Sequence, residues 1–272
     1  MRNRIVILIA LGLGVGIIAS FFIFKPQSTF QGKASSGSVS VQALLQQARG
    51  LEQKSDLLGL KEVYQKLIND FPAHKEVSVW QKNLDDTNIK SIFSSVIVPG
   101  LSQVYEVQPL DSLTKIAKEF NTTVDLLKQS NNLSSDRINP GRKLKIWTGK
   151  FSVLVDKSQN ALILKCNDEI LKTYTVATGT NNSTPAGTFK IVNKLTNPTW
   201  YKAGAVVPAD SPENILGTRW LGFDIPSYGI HGTTDPMSIG KQATAGCVRM
   251  INTEVEELYA LLPVGTEVVI TD

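Results

Sequence analysis

GIHGTTDPMSIGKQATAGCVRM, residues Gly229 to Met250, sets one of the chain's two histidines sixteen positions ahead of one of its two cysteines. A cysteine thiol with an ordinary pKa of about 8.5 is only a few per cent thiolate at neutral pH, so a cysteine nucleophile gains from an adjacent base and an electropositive setting. His231 supplies both, because an ordinary pKa of about 6.5 lets it take the thiol proton and return it to a leaving amine. Gly232 and Gly246 remove side-chain bulk beside the two groups, and Gly246 lets backbone N–H groups approach an oxyanion. Cys247 is therefore the candidate nucleophile and His231 the candidate base. A lone cysteine or histidine is more often a packed or surface residue than a catalytic one. The surrounding pattern separates the two readings here.

That pattern is long. His231-Gly232-Thr233, the loop after it, and Thr244-Ala245-Gly246-Cys247-Val248-Arg249-Met250 follow Gly179, Thr184-Pro185-Ala186-Gly187-Thr188-Phe189, Asn197-Pro198-Thr199-Trp200 and Asn214-Ile215-Leu216-Gly217-Thr218-Arg219-Trp220, and precede Pro263-Val264-Gly265-Thr266-Glu267-Val268-Val269-Ile270. The whole resembles the L,D-transpeptidase (YkuD-like) catalytic signature. Ala245 departs from the commonest form, standing where many members carry a second histidine that is not the base. The resemblance implies a Cys247 nucleophile, a His231 base oriented by the Gly232 carbonyl, and an oxyanion held by the N–H groups of Gly246 and Cys247. It implies substrate contacts from Thr244, Arg249, Trp200, Tyr201 and Trp220. Arg249 either holds a substrate carboxylate or braces its loop, and the three aromatics either line the cleft or fill the core.

The implied reaction begins on a peptidoglycan tetrapeptide stem, where the thiolate attacks the carbonyl between the third residue and D-Ala and forms an acyl-thioester without metal or cofactor. An amine acceptor resolves it into a 3-to-3 crosslink or an anchored protein. The alternatives are hydrolysis, an L,D-carboxypeptidase, or a silent domain in a wall-binding scaffold. The Thr196–Leu216 loop, with its prolines and polar residues, suits a lid. Cys166 ends an apolar run from Ala161 just before Asn167-Asp168, a hairpin turn, and reads as a core residue. A disulfide between Cys166 and Cys247 would block the nucleophile, so two free thiols are expected.

From Lys150 onward ten basic residues face twelve acidic ones, which gives this part no affinity for nucleic acid. Its strand-like runs are Phe151 to Val155, Ala161 to Leu164, Ile170 to Ala177, Thr188 to Val192 and Glu267 to Ile270. Thr253 and Glu256 form a capping-box pattern ahead of one late helix that Pro263 stops. A mainly-β sandwich over 150–272 with a short packed helix follows, as the resemblance also implies.

Residues 103–148 carry a second resemblance, to the lysin motif (LysM) module, through Tyr105-Glu106-Val107, Asp111-Ser112-Leu113, Ile116-Ala117, Leu126-Leu127, Asn131, Leu133, Ile138, Gly141 and Leu144-Lys145-Ile146. Leu113, Ile116, Ala117 and Phe120 share one helix face behind a capping Asp111 or Ser112, and Thr123 caps a second helix, giving a βααβ unit. Leu110 replaces the glycine usual before the Asp. The resemblance implies a groove for glycan strands near Leu110, Asp111, Ser112, Asn131 and Asn132, which would raise the local concentration of substrate; the alternative is a packing domain without sugar affinity.

Upstream, apolar residues at helical spacing over 41–96 predict a small α-helical spacer: Leu44, Leu45, Ala48 and Leu51, then Leu60, Val63, Tyr64, Leu67 and Ile68, and a third helix over His74 to Ile89. LKEVYQKLINDFP resembles a tetratricopeptide-like helix, but only one such unit is visible. Ser- and Gly-rich residues 26–40 read as a flexible linker. Before them Arg2 and Arg4 precede twenty uncharged residues, Ile5 to Phe24, and Lys25. Twenty helical residues span roughly 30 Å, a bilayer core. Residues 1–25 are expected to be a single-pass membrane anchor with the N-terminus cytoplasmic, placing the catalytic part on the extracytoplasmic side, in periplasm or wall; a cleaved secretion signal is the alternative.

Overall fold

The computed structural model describes residues 40–202 and 204–272. The expected membrane anchor and the linker up to residue 39 lie outside the described residues. Among the described residues no helix is long and apolar enough to cross a membrane. Three helices come first, α1 (Val41–Gln53), α2 (Leu57–Asp70) and α3 (Val77–Phe93). A βααβ unit follows: β1 (Ser102–Glu106), α4 (Leu113–Glu119), α5 (Val124–Ser130) and β2 (Lys143–Trp147). The remainder holds β3 (Phe151–Asp156), β4 (Ala161–Cys166), β5 (Glu169–Thr175), β6 (Thr178–Gly179), β7 (Gly187–Thr196), β8 (Trp200–Lys202) and β9 (Ala205–Val207). After these come β10 (Arg219–Phe223), β11 (Gly229–His231), β12 (Gln242–Thr244), β13 (Val248–Arg249), α6 (Asn252–Leu261) and β14 (Glu267–Thr271).

The helices start where polar caps allow. Ser40 Oγ accepts from Ala43 N–H at 3.2 Å and Asp56 Oδ1 from Gly59 N–H at 3.0 Å, satisfying N–H groups that a helix start leaves unpaired. Leu44, Ala48, Leu60, Val63, Leu67, Trp80 and Leu84 bury themselves together. The third helix spans Val77–Phe93 rather than starting at His74; the His74 ring stacks on Trp80 from the turn ahead of the helix, ring centroids 4.6 Å apart.

The second face of α3 is buried and polar, with Asp85, Asn88 and Ser91 at 7%, 4% and 6% exposure. The sheet explains it. Strand β5 is the last strand of the main sheet, and an open edge presents unpaired backbone groups. Asp85 Oδ2 accepts from Thr173 N–H at 3.1 Å, and Asn88 Nδ2 donates to Leu171 O at 2.9 Å. Helix α3 thus closes the edge with side chains, and its Ile89 and Ile92 join the core beneath the strands. The helical segment is docked on this sheet, not held away from it.

In the βααβ unit β1 and β2 pair antiparallel, Ser102 opposite Trp147. Ser112, not Asp111, caps α4, accepting from Lys115 N–H at 3.1 Å, and Thr123 caps α5 at 2.9 Å. Lys145, 4% exposed, leaves this unit altogether. Its ammonium donates to Ser91 O at 2.6 Å, Ile92 O at 3.2 Å and Ser94 O at 2.7 Å, the end of α3 where carbonyls lack helical partners and the dipole favours a cation. Lys194 does the same for α6, donating to Tyr259 O at 2.5 Å and Leu262 O at 2.9 Å. Thr123 Oγ1 also donates to Ala260 O.

The segment after β2 corrects the expected sandwich. One eight-stranded sheet runs β13-β11-β10-β7-β14-β3-β4-β5. Residues from both ends, Val248 on β13 and Leu171 and Tyr174 on β5, share one buried cluster with Val255, Leu258 and Leu261 of α6. The chain leaving β5 then pairs with the opposite end, Ala177 and Arg249 exchanging two N–H···O bonds of 2.8 Å. The sheet therefore curls around its own core instead of stacking against a second one. The Asn167-Asp168 turn is as expected, with φ of 47° and 69°, the type I′ geometry of a tight hairpin. The capping box is not: α6 starts at Asn252 behind an uncapped Ile251, Thr253 lies inside the helix, and the Asn252 side chain is used elsewhere.

Candidate active site

Parallel pairing of β11 with β13 brings the sixteen-residue spacing together. Ile230 faces Val248 and His231 faces Arg249, so Cys247 sits at the entrance to β13 beside the histidine strand. Both groups line a cleft of about 490 Å³, together with Trp200, Tyr201, Trp220, Thr244 and Arg249. Every residue expected to act on the stem, apart from Gly232 and Gly246 behind it, faces this cleft. A wider groove of about 620 Å³ among α1, α2 and α3 holds neither histidine nor cysteine.

His231 is 2% exposed. Its Nδ1 lies 2.7 Å from Gly232 O; a carbonyl can only accept, so Nδ1 carries the proton and Nε2 is left bare. Burial drops the imidazole pKa to about 4, the Gly232 carbonyl opposing and the Arg249 charge adding to the fall. Trp220, its cross-strand partner, stacks on the ring at 6.0 Å with 19° between planes. Its Nε1 donates to Asn193 Oδ1 at 3.0 Å, so its orientation is set from the far side.

The Cys247 thiol rests on Ser227, Sγ to carbonyl oxygen 3.4 Å. Burial raises its pKa, while the Gly229 N–H and Arg249 oppose the rise. Thiol and imidazole therefore stand as a neutral pair at neutral pH, and proton transfer accompanies attack. Gly246 permits the turn: its φ is +135°, and a Cβ there would meet Tyr228 Cε1 at 2.7 Å.

Thr244 and the Gly246 N–H are bonded to each other. Thr244 Oγ1 donates to Cys247 O at 2.7 Å and accepts from Gly246 N–H at 3.1 Å. The hydroxyl expected to touch substrate braces the nucleophile turn, and the Gly246 donor expected for the oxyanion is already engaged. The Arg249 guanidinium is tied to the loop between β11 and β12. Its Nη1 donates to Ser238 Oγ at 3.0 Å with Asp235 Oδ2 3.9 Å away, while Nε is buried without a protein partner. Tyr201 is 76% exposed on the β8–β9 hairpin.

Cys166 is buried, and its thiol is pushed up to about 11 by that burial. Both cysteines are free. In the glycan-binding set three side chains are engaged internally. Asp111 accepts from Lys115 Nζ at 2.8 Å, Tyr105 Oη at 2.7 Å and Gln108 N–H at 2.8 Å. These bonds, Lys115 first, hold its carboxyl down to about 2. Ser112 caps α4, and Asn131 bonds the backbone of β2 on both sides, Lys145 N–H at 2.6 Å and Lys145 O at 2.9 Å. Leu110, 96% exposed at φ +69°, and the exposed Asn132 remain on the surface.

Three site residues escaped the sequence reading. Ser227 and Tyr228 carry no motif. Asn252 left no usable sign, since an asparagine at a helix start reads as a cap and this one caps nothing.

A bare imidazole nitrogen and a cysteine thiol sharing a mostly apolar cleft define a cysteine acyl-transfer site. The comparisons agree with that class. Residues 150–270 match the L,D-transpeptidase (YkuD) catalytic domain and residues 105–147 the LysM domain. Over 126 residues the chain is 43% identical to a Bacillus subtilis protein named as an L,D-transpeptidase, YqjB, covering 44% of this chain and 70% of that one. Two proteins named as the L,D-transpeptidase YkuD are 36% identical over 176 residues in Bacillus licheniformis and 34% over 173 in Bacillus subtilis. These alignments cover 62% and 61% of this chain and 98% and 97% of the relatives. The chain belongs to the L,D-transpeptidase family, with a LysM domain ahead of the catalytic domain.

Proposed function

We propose that this L,D-transpeptidase crosslinks peptidoglycan stems through a Cys247 thioester. The observation that carries the reading is the Nδ1–H···O bond from His231 to Gly232, which leaves Nε2 bare in the cleft that also holds Cys247. The Sγ proton passes to Nε2 as Sγ bonds to the carbonyl carbon between the third stem residue and D-Ala. The carbonyl π pair moves to oxygen, where the Cys247 N–H serves as donor. Collapse breaks the C–N bond; the D-Ala amine leaves with the proton from Nε2, and a thioester remains. An acceptor amine then attacks, gives its proton to Nε2, and expels the thiolate, which recovers that proton. The apolar lining of Leu195, Ile215, Leu216 and Trp220 offers water few polar anchors beside the thioester, which supports amine attack over hydrolysis.

The LysM domain supports a second half of the reading: it holds glycan strands so that stems reach the cleft at raised local concentration. Residues 1–25 anchor the chain in the membrane with the enzyme outside, a proposal that rests on the charge and length of that segment alone. The test is mass spectrometry of muropeptides after incubating residues 26–272 with disaccharide-tetrapeptide, beside Cys247→Ala. A Cys247-dependent 3-to-3 dimer is the expected product. Tripeptide alone would make it a carboxypeptidase, and no product from folded protein would overturn the enzymatic reading.

A further inference from the structure

We infer that Asn252 is a positioning residue whose side-chain oxygen pins the two backbone segments around His231 and so keeps the imidazole in its working tautomer. The inference rests on the transpeptidase reading above and adds a residue outside the cleft. Asn252 opens α6, but its Oδ1 turns away from the helix. It accepts from Thr233 N–H at 3.0 Å and Thr218 N–H at 3.2 Å.

The first of these bonds holds one peptide by its N–H end. Gly232 O, the other end of that same peptide unit, is the acceptor of His231 Nδ1 at 2.7 Å. Because Gly232 has no Cβ, its backbone is among the least restrained in the chain, and a peptide free to rotate would carry its oxygen off the ring. The second bond fixes Thr218, next to Gly217, which packs directly on the same peptide: a Cβ at Gly217 would lie 2.6 Å from the Gly232 carbonyl carbon and 2.4 Å from Thr233 N. One oxygen atom thus holds together the two segments that meet at the peptide presenting its carbonyl to the base.

The two glycines match this arrangement. A Cβ at Gly232 would lie 2.2 Å from Asn252 Oδ1, and one at Gly217, where φ is +64°, would lie 2.3 Å from it. Both positions are hollowed to receive the amide. A second-sphere oxygen that orients a catalytic histidine through a backbone carbonyl acts on tautomer and geometry without touching substrate.

The test uses the full chain in detergent, with Asn252→Ala and Asn252→Asp. Nitrogen-15 chemical shifts of the imidazole, assigned with His74→Gln because the chain has two histidines, read the tautomer without any turnover. Wild type is expected as Nδ1–H, Asn252→Ala as a mixture, and Asn252→Asp, which keeps the acceptor, as Nδ1–H again. In the muropeptide assay Asn252→Ala should lose about tenfold to a hundredfold in kcat with KM changed less than about twofold. The acid limb of its pH profile should move down as Gly232 O leaves the ring; that of Asn252→Asp should move up, because a carboxylate favours the imidazolium. A pure Nδ1–H tautomer with an unmoved limb in Asn252→Ala overturns the inference. Should that variant not fold, an unmoved limb in Asn252→Asp does so instead. Loss of all Cys247-dependent turnover in wild type would sink the transpeptidase reading alone, leaving the tautomer measurement to judge Asn252.

Discussion

Replacing Lys145 by Met keeps the length and packing of the stem and removes only the ammonium that joins the LysM domain to the end of α3. Three carbonyls, on Ser91, Ile92 and Ser94, then lose the ammonium, Ser91 O keeping Ser94 Oγ as a donor at 3.1 Å. A bond to a charged donor contributes about 1.5–3 kcal/mol, so the three together contribute roughly 4–9 kcal/mol. Against this stands the burial of the charge, which pushes the Lys145 pKa from an ordinary 10.5 down to about 8, a cost of about 3 kcal/mol. The net loss expected from Lys145→Met is roughly 1–6 kcal/mol, centred near 3. Urea unfolding of residues 26–272, followed by tryptophan fluorescence, should show a single transition with its midpoint lower by about 1 M. Lys143→Met, two residues away on the same strand and exposed, is the control and should move the midpoint little. A change below about 0.5 kcal/mol, or a separate LysM transition already present in wild type, would refute the reasoning, since either would mean that the junction carries no stability.

The pH dependence of thioester formation follows from His231, which must be neutral to accept a proton. With its pKa lowered to about 4, acylation at pH 5.5 should keep nearly all of its plateau rate, about 97%, where an ordinary histidine would leave about one-tenth; a half-maximum near 6.5 would contradict the burial argument. A carbapenem, whose ring opening leaves a thioester, should add once per chain and only at Cys247, seen as one mass adduct that Cys247→Ala lacks. Iodoacetamide should likewise alkylate the folded protein once, because the Cys166 thiol is buried and held near 11; a second adduct before unfolding would show that this core opens. Gly246→Ala should reduce turnover by about a hundredfold or more, since the new Cβ would lie 2.7 Å from Tyr228 at a φ of +135°; normal activity with folded protein would show that the turn can relax.

Much of the site was legible because the chemistry is concentrated in one stretch. His231, Gly232, Gly246 and Cys247 are neighbours in sequence as well as in space, and a cysteine beside a histidine has few uses as specific as acyl transfer. The expected site groups that the structure finds already bonded within the protein are short polar side chains. Thr244, Asp111, Ser112 and Asn131 each have nearby backbone to bond, and local competition of this kind consumes such groups before a ligand arrives. The curled sheet was hidden for a different reason. Alternating strands and one helix fit a sandwich and a curled sheet equally, and only the long-range pairing of Ala177 with Arg249 distinguishes them. The polar face of α3 was unreadable because Asp85 and Asn88 look solvated until β5 supplies the backbone groups they bond.

That last feature changes how the role of the LysM domain should be tested. Excising residues 103–147 would remove Lys145 from α3, Leu126 and Trp147 from the catalytic core, and Thr123 from α6. Lost activity after such a deletion would report damage to the enzyme as readily as loss of glycan. A surface change separates the two. Leu110 is 96% exposed on the loop between β1 and α4, away from every junction named above, so Leu110→Asp alters the expected sugar-facing surface while leaving the core intact. If glycan holding matters, this variant should bind purified sacculi less and crosslink them more slowly, yet process a free disaccharide-tetrapeptide at the wild-type rate. Equal slowing on both substrates would show that the loop acts through the fold. An unchanged rate on sacculi with weakened binding would show that the domain positions the enzyme without limiting its turnover.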